Sequence, residues 1–269
     1  MSNLECHKQN VLRQCQLKEL SILRIVADIC DKNDIDYWLD GGSLLGAVRH
    51  GGFIPWDDDI DIAMLKEDAE RFVKIAPSVL PDGLFLQTPG TDKIDVPIIK
   101  IRDLNSFFIE RGDDIMTDYA KGIYIDIFPF EAYPSVSSKC VKMFARGMSV
   151  AAGVIGQKRK ITFGNIVENV YFRFKYLSLK LAWRALMKLK STDRYIGNVS
   201  PTNGYGIAHL KGSVFPLSTV EFEGLTFKAP HNPNAYLTDL YGDYMKLPPE
   251  EQREAHAPVS KLELKNEGL

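Results

Sequence analysis

The sequence predicts an α+β protein, with a mixed β-sheet core and flanking helices over residues 1–132 and a mainly helical second half over 133–269. Three observations lead to that class. Helical periodicity and short alternating apolar runs succeed one another through the first part, as in a sheet covered by helices. From about Tyr133 to Lys190 the pattern changes to long helical stretches. At 269 residues with 45% hydrophobic and 10% aromatic content, the chain has enough apolar surface to bury a full core.

Residues 11–31 read as an amphipathic helix, because Leu20, Leu23, Ala27 and Cys30 recur at steps of three and four while Lys18, Glu19, Arg24 and Asp28 fall elsewhere. In IDYWLD, 35–40, Ile35, Tyr37 and Leu39 alternate with Asp36 and Trp38 as in a short strand. Gly41-Gly42-Ser43 breaks it, and SLLGAVRH continues with helical spacing. GGFIPWDDDIDIAM, 51–64, then reads as an acidic strand, and KEDAERFVKIAPSVL as a helix stopped near Pro77 and Pro81. LFLQ (84–87), PIIKIRD (97–103), SFFIE (106–110) and GIYIDIF (122–128) predict strands, each bounded by turn residues. After Lys190 the pattern weakens, with many Gly, Pro and Asn. Neither an internal repeat nor a low-complexity tract is visible.

A net charge of −2 predicts no nucleic-acid partner, but it conceals an asymmetry. Between Lys139 and Lys190 twelve Lys or Arg stand against one acid, Glu168, a local net of +11. In NVYFRFKYLSLKLAWRALMKLK, 169–190, aromatics interleave with these cations. Such a segment suits peripheral contact with an anionic membrane, and it equally suits a helix packed on the core with its basic residues in water. Cysteines 6, 15, 30 and 140 form no C-x-x-C pair and no zinc-finger spacing, which predicts reduced thiols in the cytoplasm. The N-terminus lacks an apolar signal region, and MSVAAGVIG, 148–156, is about half the roughly 20 residues that span a bilayer. The expected location is therefore cytoplasmic, with 139–190 peripheral at the inner face of the cell membrane.

In a strand, Asp57, Asp59 and Asp61 share one face while Asp58, Ile60 and Ile62 point the other way. Three such carboxylates repel unless a cation sits among them, and a hard divalent ion such as Mg²⁺ takes oxygen ligands. A solvated acidic turn is the plain alternative. An EF-hand fails, since its sixth position is Ile62 rather than Gly and its twelfth is Asp68 rather than Glu. Asp126 stands alone among Ile123, Ile125, Ile127 and Phe128, and burying an unpaired carboxylate costs several kcal/mol, so it needs a positive partner, metal or side chain. Gly42 and Ser43 open a helix whose N–H groups can hold a phosphate. Lys100 and Arg102 share a strand face and Arg49 ends that helix; each is ordinary as a surface charge, and together they suit a diphosphate.

With these parts in place, the chain resembles the LicD and fukutin-like phosphotransferase family of the nucleotidyltransferase fold. The blocks that carry the resemblance are DYWLDGGSLLGAVRHGGFIPWDDDIDIAM (36–64), KIRD (100–103), YIDIFPF (124–130) and HNPNAYLTDLYGDYMKLPP (231–249). It implies a nucleotidyltransferase-like catalytic core over 1–132, with 133–269 completing the acceptor side. It also implies transfer of phosphocholine or a related phospho-alcohol from CDP-choline or a similar CDP-linked donor to a glycan, lipid-linked teichoic acid or lipopolysaccharide. Carried over, Asp59 and Asp61 match the metal-binding pair, Asp126 the third carboxylate, Asp57 the acid opening the motif, and Gly42 with Ser43 the phosphate turn. Lys100, Arg102 and Arg49 would neutralise the leaving CMP, and Asp126 or Asp57 would complete the metal site or take the acceptor proton. The cofactor implied is Mg²⁺, with Mn²⁺ as the alternative. A nucleotidyltransferase releasing pyrophosphate and a non-enzymatic Ca²⁺-binding protein are the rival functions.

Overall fold

The computed structural model describes residues 3–88, 91–92, 98–110, 119–157, 162–200, 202, 206–253 and 259–264. The chain divides into two units, one made of Met1–Pro129 and Phe215–Leu269, the other of Phe130–Val214.

The first unit opens with α1 (Asn3–Lys32), β1 (Trp38–Leu39), α2 (Gly41–His50), β2 (Asp61–Leu65) and α3 (Lys66–Val79). It continues with β3 (Leu84–Gln87), β4 (Ile99–Asp103), β5 (Ser106–Glu110) and the start of β6 (Tyr124–Pro134). Its sheet runs β1-β2-β6-β4-β3, with β1–β2, β4–β6 and β3–β4 antiparallel. Strand order departs from chain order because β6 enters between β2 and β4, which brings residues near 60 beside residues near 126. The hydrogen bond from Asp126 N to Ile60 O, 2.9 Å, fixes that juxtaposition.

Apolar alternation explains the core. Ile60, Ile62, Ile101, Ile125 and Ile127 are fully buried, as are Leu23, Val26 and Cys30 of α1. These side chains bury apolar surface at about 25 cal/mol per Å², the main favourable term for the unit. The phased apolar residues of α3, Ala69, Phe72 and Ala76, are buried too. Pro77 lies inside α3, which ends two residues later at Val79, so the expected stop is placed in its last turn.

Two expectations are revised. Only Trp38 and Leu39 of 35–40 pair as a strand, and the acidic strand starts at Asp61 rather than spanning the aspartates. The cause of the second is Pro55, which opens a tight turn closed by Asp57 N on Ile54 O at 2.9 Å. Pro97, at the head of an expected strand, lies outside the described residues.

The C-terminal part of the first unit holds β9 (Ser218–Phe222), β10 (Leu225–Ala229), α7 (Pro233–Tyr241), a 3-10 turn at Glu250–Gln252 and β11 (Val259–Leu264) paired with β5. The second unit contains the end of β6 from Phe130, α4 (Ser138–Gly156), α5 (Phe163–Lys190), β7 (Ser191–Asn198), β8 (His209–Leu210) and α6 (Lys211–Val214). Tyr133, Val141, Met148 and Trp183 form its core. Helix therefore dominates only to Lys190. Beyond it, among the described residues, come five strands, β7 to β11, which short alternations broken by Gly and Pro had concealed.

Candidate functional site

The site is built where the first turn of α2 meets the segment before β2. Asp40 caps α2, accepting from Gly41 N at 2.7 Å, and its own N–H donates to Asp61 O at 3.0 Å. Gly41-Gly42-Ser43 is thus the first turn of the helix itself, where the leading N–H groups lack intrahelical partners and the dipole is positive. Gly41 has φ +50°, and a Cβ there would lie 3.0 Å from Asp61 Oδ2. At Gly42 a Cβ would lie 2.5 Å from Asp57 Oδ2. Absence of side chains at both positions lets two carboxylates approach the helix terminus. Ser43 is buried, and its Oγ accepts from Asp61 N at 2.8 Å, leaving its own proton to donate.

Because Asp57–Ile60 precedes β2, strand alternation does not govern the aspartates. One oxygen from each of Asp57, Asp58 and Asp59 lies within 4.8 Å of the other two, so Asp58 joins the acids rather than pointing away from them. Asp57 is held from behind by Gln16, whose Nε2 donates to Asp57 O at 2.8 Å.

Burial and this crowding together set the electrostatics. Burial, then the charges of Asp59, Asp126, Asp40 and Asp57, push the Asp61 carboxyl well above the usual range. Asp57 is pushed up to about 6 by burial and by Asp58, against the Asp58 N–H and the Arg49 charge, which act downward. Glu19 on α1 is only 2% exposed, and burial, then Asp59, Asp58, Asp57 and Asp126, push it well up also. Its Oε2 has no hydrogen-bond partner among the described residues.

The expected cations separate. Lys100 pairs in register with Asp126 and touches both its oxygens, at 2.6 and 3.0 Å, with its ammonium 3.6 Å above the Tyr124 ring. Arg102 is buried and donates to Gln87 Oε1 at 2.5 Å and Gly122 O at 2.9 Å, so it braces the sheet instead of facing the acids. Arg49 donates to Tyr244 O at 2.9 Å and to His50 Nε2 at 3.0 Å. Burial and the Arg49 charge hold the His50 ring below its ordinary range, consistent with an accepting Nε2.

Sequence reasoning missed three parts. Glu19 was assigned to the polar side of α1, yet it stands four residues from both Cys15 and Leu23, which are fully buried, and that phase was the available signal. Asp40 read as the end of a strand. Tyr236 of α7 donates to Asp40 Oδ1 at 2.7 Å and accepts from Trp38 Nε1 at 3.3 Å, and nothing in local spacing announces a partner 196 residues away.

The chemistry available is an all-oxygen acidic cluster facing a helix N-terminus, with one ammonium seated on Asp126. Residues 34–171, which contain every one of these groups except Glu19, Gln16, Tyr236 and Tyr244, match the family model described as LicD/FKTN/FKRP, nucleotidyltransferase domain. The lipopolysaccharide cholinephosphotransferase LicD of Haemophilus influenzae is 30% identical over 275 residues, covering 93% of this chain and 97% of that protein. The ribitol 5-phosphate transferase FKRP of Mus musculus, like that of Homo sapiens, is 47% identical over 132 residues, 46% of this chain and 23% of its own length. An uncharacterized protein of Rickettsia typhi is 46% identical over 68 residues, 24% of this chain and 22% of its own.

Proposed function

The chain belongs to the LicD/FKTN/FKRP nucleotidyltransferase-domain family, and from that premise we propose that it transfers a phospho-alcohol to a glycan hydroxyl. The group transferred is phosphocholine or a relative such as ribitol phosphate, the donor is CDP-activated, and the acceptor is a cell-surface glycan precursor, a teichoic acid or a lipopolysaccharide. Transfer between such partners needs a diphosphate site beside a charge-neutralising centre, and the approach of Asp57 and Asp61 to the α2 N-terminus is the observation that carries the proposal.

The donor set fits a hard divalent ion. It is all carboxylate, and a cation relieves both the burial and the mutual repulsion that push Asp57 and Asp61 up. Asp59, Asp61 and Asp126 would hold Mg²⁺, or Mn²⁺, which when bound supplies charge neutralisation for the diphosphate. The chain does the rest. The N–H groups of Gly42 and Ser43 orient a phosphate oxygen, and Lys100 and Arg49 balance charge developing on the leaving CMP. As the acceptor oxygen bonds to phosphorus and the bond to CMP breaks, the hydroxyl proton passes to a carboxylate. We assign that proton to Asp57, whose Oδ2 lies against Gly42 at the α2 N-terminus, rather than to Asp126, whose two oxygens face Lys100. We place the protein in the cytoplasm, in keeping with Cys15 and Cys30 as buried free thiols.

The test is incubation with CDP-choline, CDP-ethanolamine or CDP-ribitol and Mg²⁺, scoring CMP release with and without glycan acceptors. Release of CMP that depends on acceptor is expected. Turnover surviving in the folded double variant Asp59→Asn, Asp61→Asn rules the scheme out, and pyrophosphate release from CTP would favour nucleotidyl transfer instead.

A further inference from the structure

Helix α5 is apolar on two opposite faces. One packs Tyr176, Leu179, Trp183 and Leu186 into the core of the second unit. The other carries Phe163, Val167, Val170, Phe174, Leu177 and Leu181 at alternating steps of four and three, so they fall on one line along about five turns. That line faces solvent, with Phe163 84%, Phe174 72% and Leu181 64% exposed. Scattered exposed apolar residues need no explanation, but a continuous stripe of this length marks a contact surface.

Charge identifies the occupant. Helices α4 and α5 together carry nine Lys or Arg and one acid, Glu168. Arg173, Lys180 and Arg184 fall along one margin of the stripe, where their stems can lie on it while their charges reach outward. A second copy of the chain would set this positive field against itself. A nucleic acid would satisfy the cations and strand the aromatics in water. An anionic bilayer satisfies both, taking the stripe at the acyl boundary and the cations among the headgroups.

A groove between the two helices adds a headgroup-sized seat. It has a volume of about 480 Å³ and is lined by Lys142, Met143, Arg146, Gly147, Val150 and Lys175, three cations over an apolar floor. Gly147 lets the helices close there, since a Cβ would lie 2.8 Å from Leu179 Cδ1. No helix among the described residues is long and apolar enough to cross a membrane, so the contact is with the interface alone.

We propose that α4 and α5 form a docking face for an anionic lipid bilayer, with a headgroup phosphate held by Lys142, Arg146 and Lys175. This goes beyond the transfer chemistry and is tested without it. The full-length protein is sedimented with vesicles of phosphatidylcholine alone and of phosphatidylcholine mixed with phosphatidylglycerol, across a salt series. Binding to the mixed vesicles, weakening as salt rises, is expected. Phe174→Glu with Leu181→Glu should lower the binding constant by about tenfold or more, and Lys142→Glu with Arg146→Glu should flatten the salt dependence. Both pairs are at exposed or half-exposed positions, and circular dichroism checks the fold. Hydrogen exchange on the unmodified protein adds a second measurement, with protection of 163–182 expected when mixed vesicles are added. Absence of sedimentation, binding that ignores the phosphatidylglycerol content, or a dimer broken by Phe174→Glu with no vesicle binding would each overturn the proposal.

Discussion

Lys100 touches both carboxylate oxygens of Asp126, at 2.6 and 3.0 Å, across the β4–β6 pairing. Both side chains are 13% exposed, so neither charge is well solvated without the other. Lys100→Met should cost about 3 kcal/mol of stability in urea titrations with EDTA present, because a buried carboxylate is left uncompensated. Adding Mg²⁺ should recover part of it, and Asp126→Asn in the same chain should recover most. A variant as stable as the parent in EDTA contradicts the pairing.

The acidic cluster makes stability depend on pH in a defined direction. Asp57 is raised from 3.8 to about 6, so the folded state binds more protons than the unfolded one between those values. Stability is therefore greatest below that window and falls as pH rises through about 6. Asp61 and Glu19, also raised, act with the same sign. Thermal midpoints in EDTA should decline from acid toward neutral pH, and Mg²⁺ should raise the midpoint more at neutral pH than in acid. A midpoint that climbs over this range in EDTA would refute it.

Gly42→Ala separates backbone preference from site geometry. In a helix Ala is favoured over Gly by about 0.5–1 kcal/mol, but the new methyl would stand 2.5 Å from Asp57 Oδ2 and force that carboxylate to move. Thermal stability should be nearly unchanged while CMP release falls about tenfold or more. Full activity in this variant would show that Asp57 is free to shift without consequence.

Tyr236→Phe tests the reach of the C-terminal segment into the site. It removes the 2.7 Å donation to Asp40, the cap of α2, and the 3.3 Å bond accepted from Trp38 Nε1. We expect a loss of about 1–3 kcal/mol, read by denaturation, with turnover reduced as the helix start loosens. A neutral substitution would mean that Asp40 holds its position without the phenol.

Several features were legible from residue order because they depend on neighbours along the chain. The strands at 84–87 and 106–110 were expected at the bounds observed, since alternation and flanking turn residues are local. The helix after Met64 was marked by its phased apolar residues in the same way. Membership of the LicD/FKTN/FKRP family was carried by blocks that stand intact in the sequence.

What the tertiary structure decided is which polar groups meet. Lys100 and Arg102 look alike two residues apart, yet the register sets one on Asp126 and the other over Tyr124, with its donors spent on Gln87 and Gly122. Glu19, placed in sequence among the solvent-facing charges of α1, is buried beside aspartates some forty residues further on. The sequence by itself determined the acidic motif and several elements of the first 130 residues, because apolar periodicity and motif residues are written along the chain. Only folding determined the partners of the charges, because electrostatic energy and hydrogen bonding depend on distance in space, which spacing along the chain does not encode.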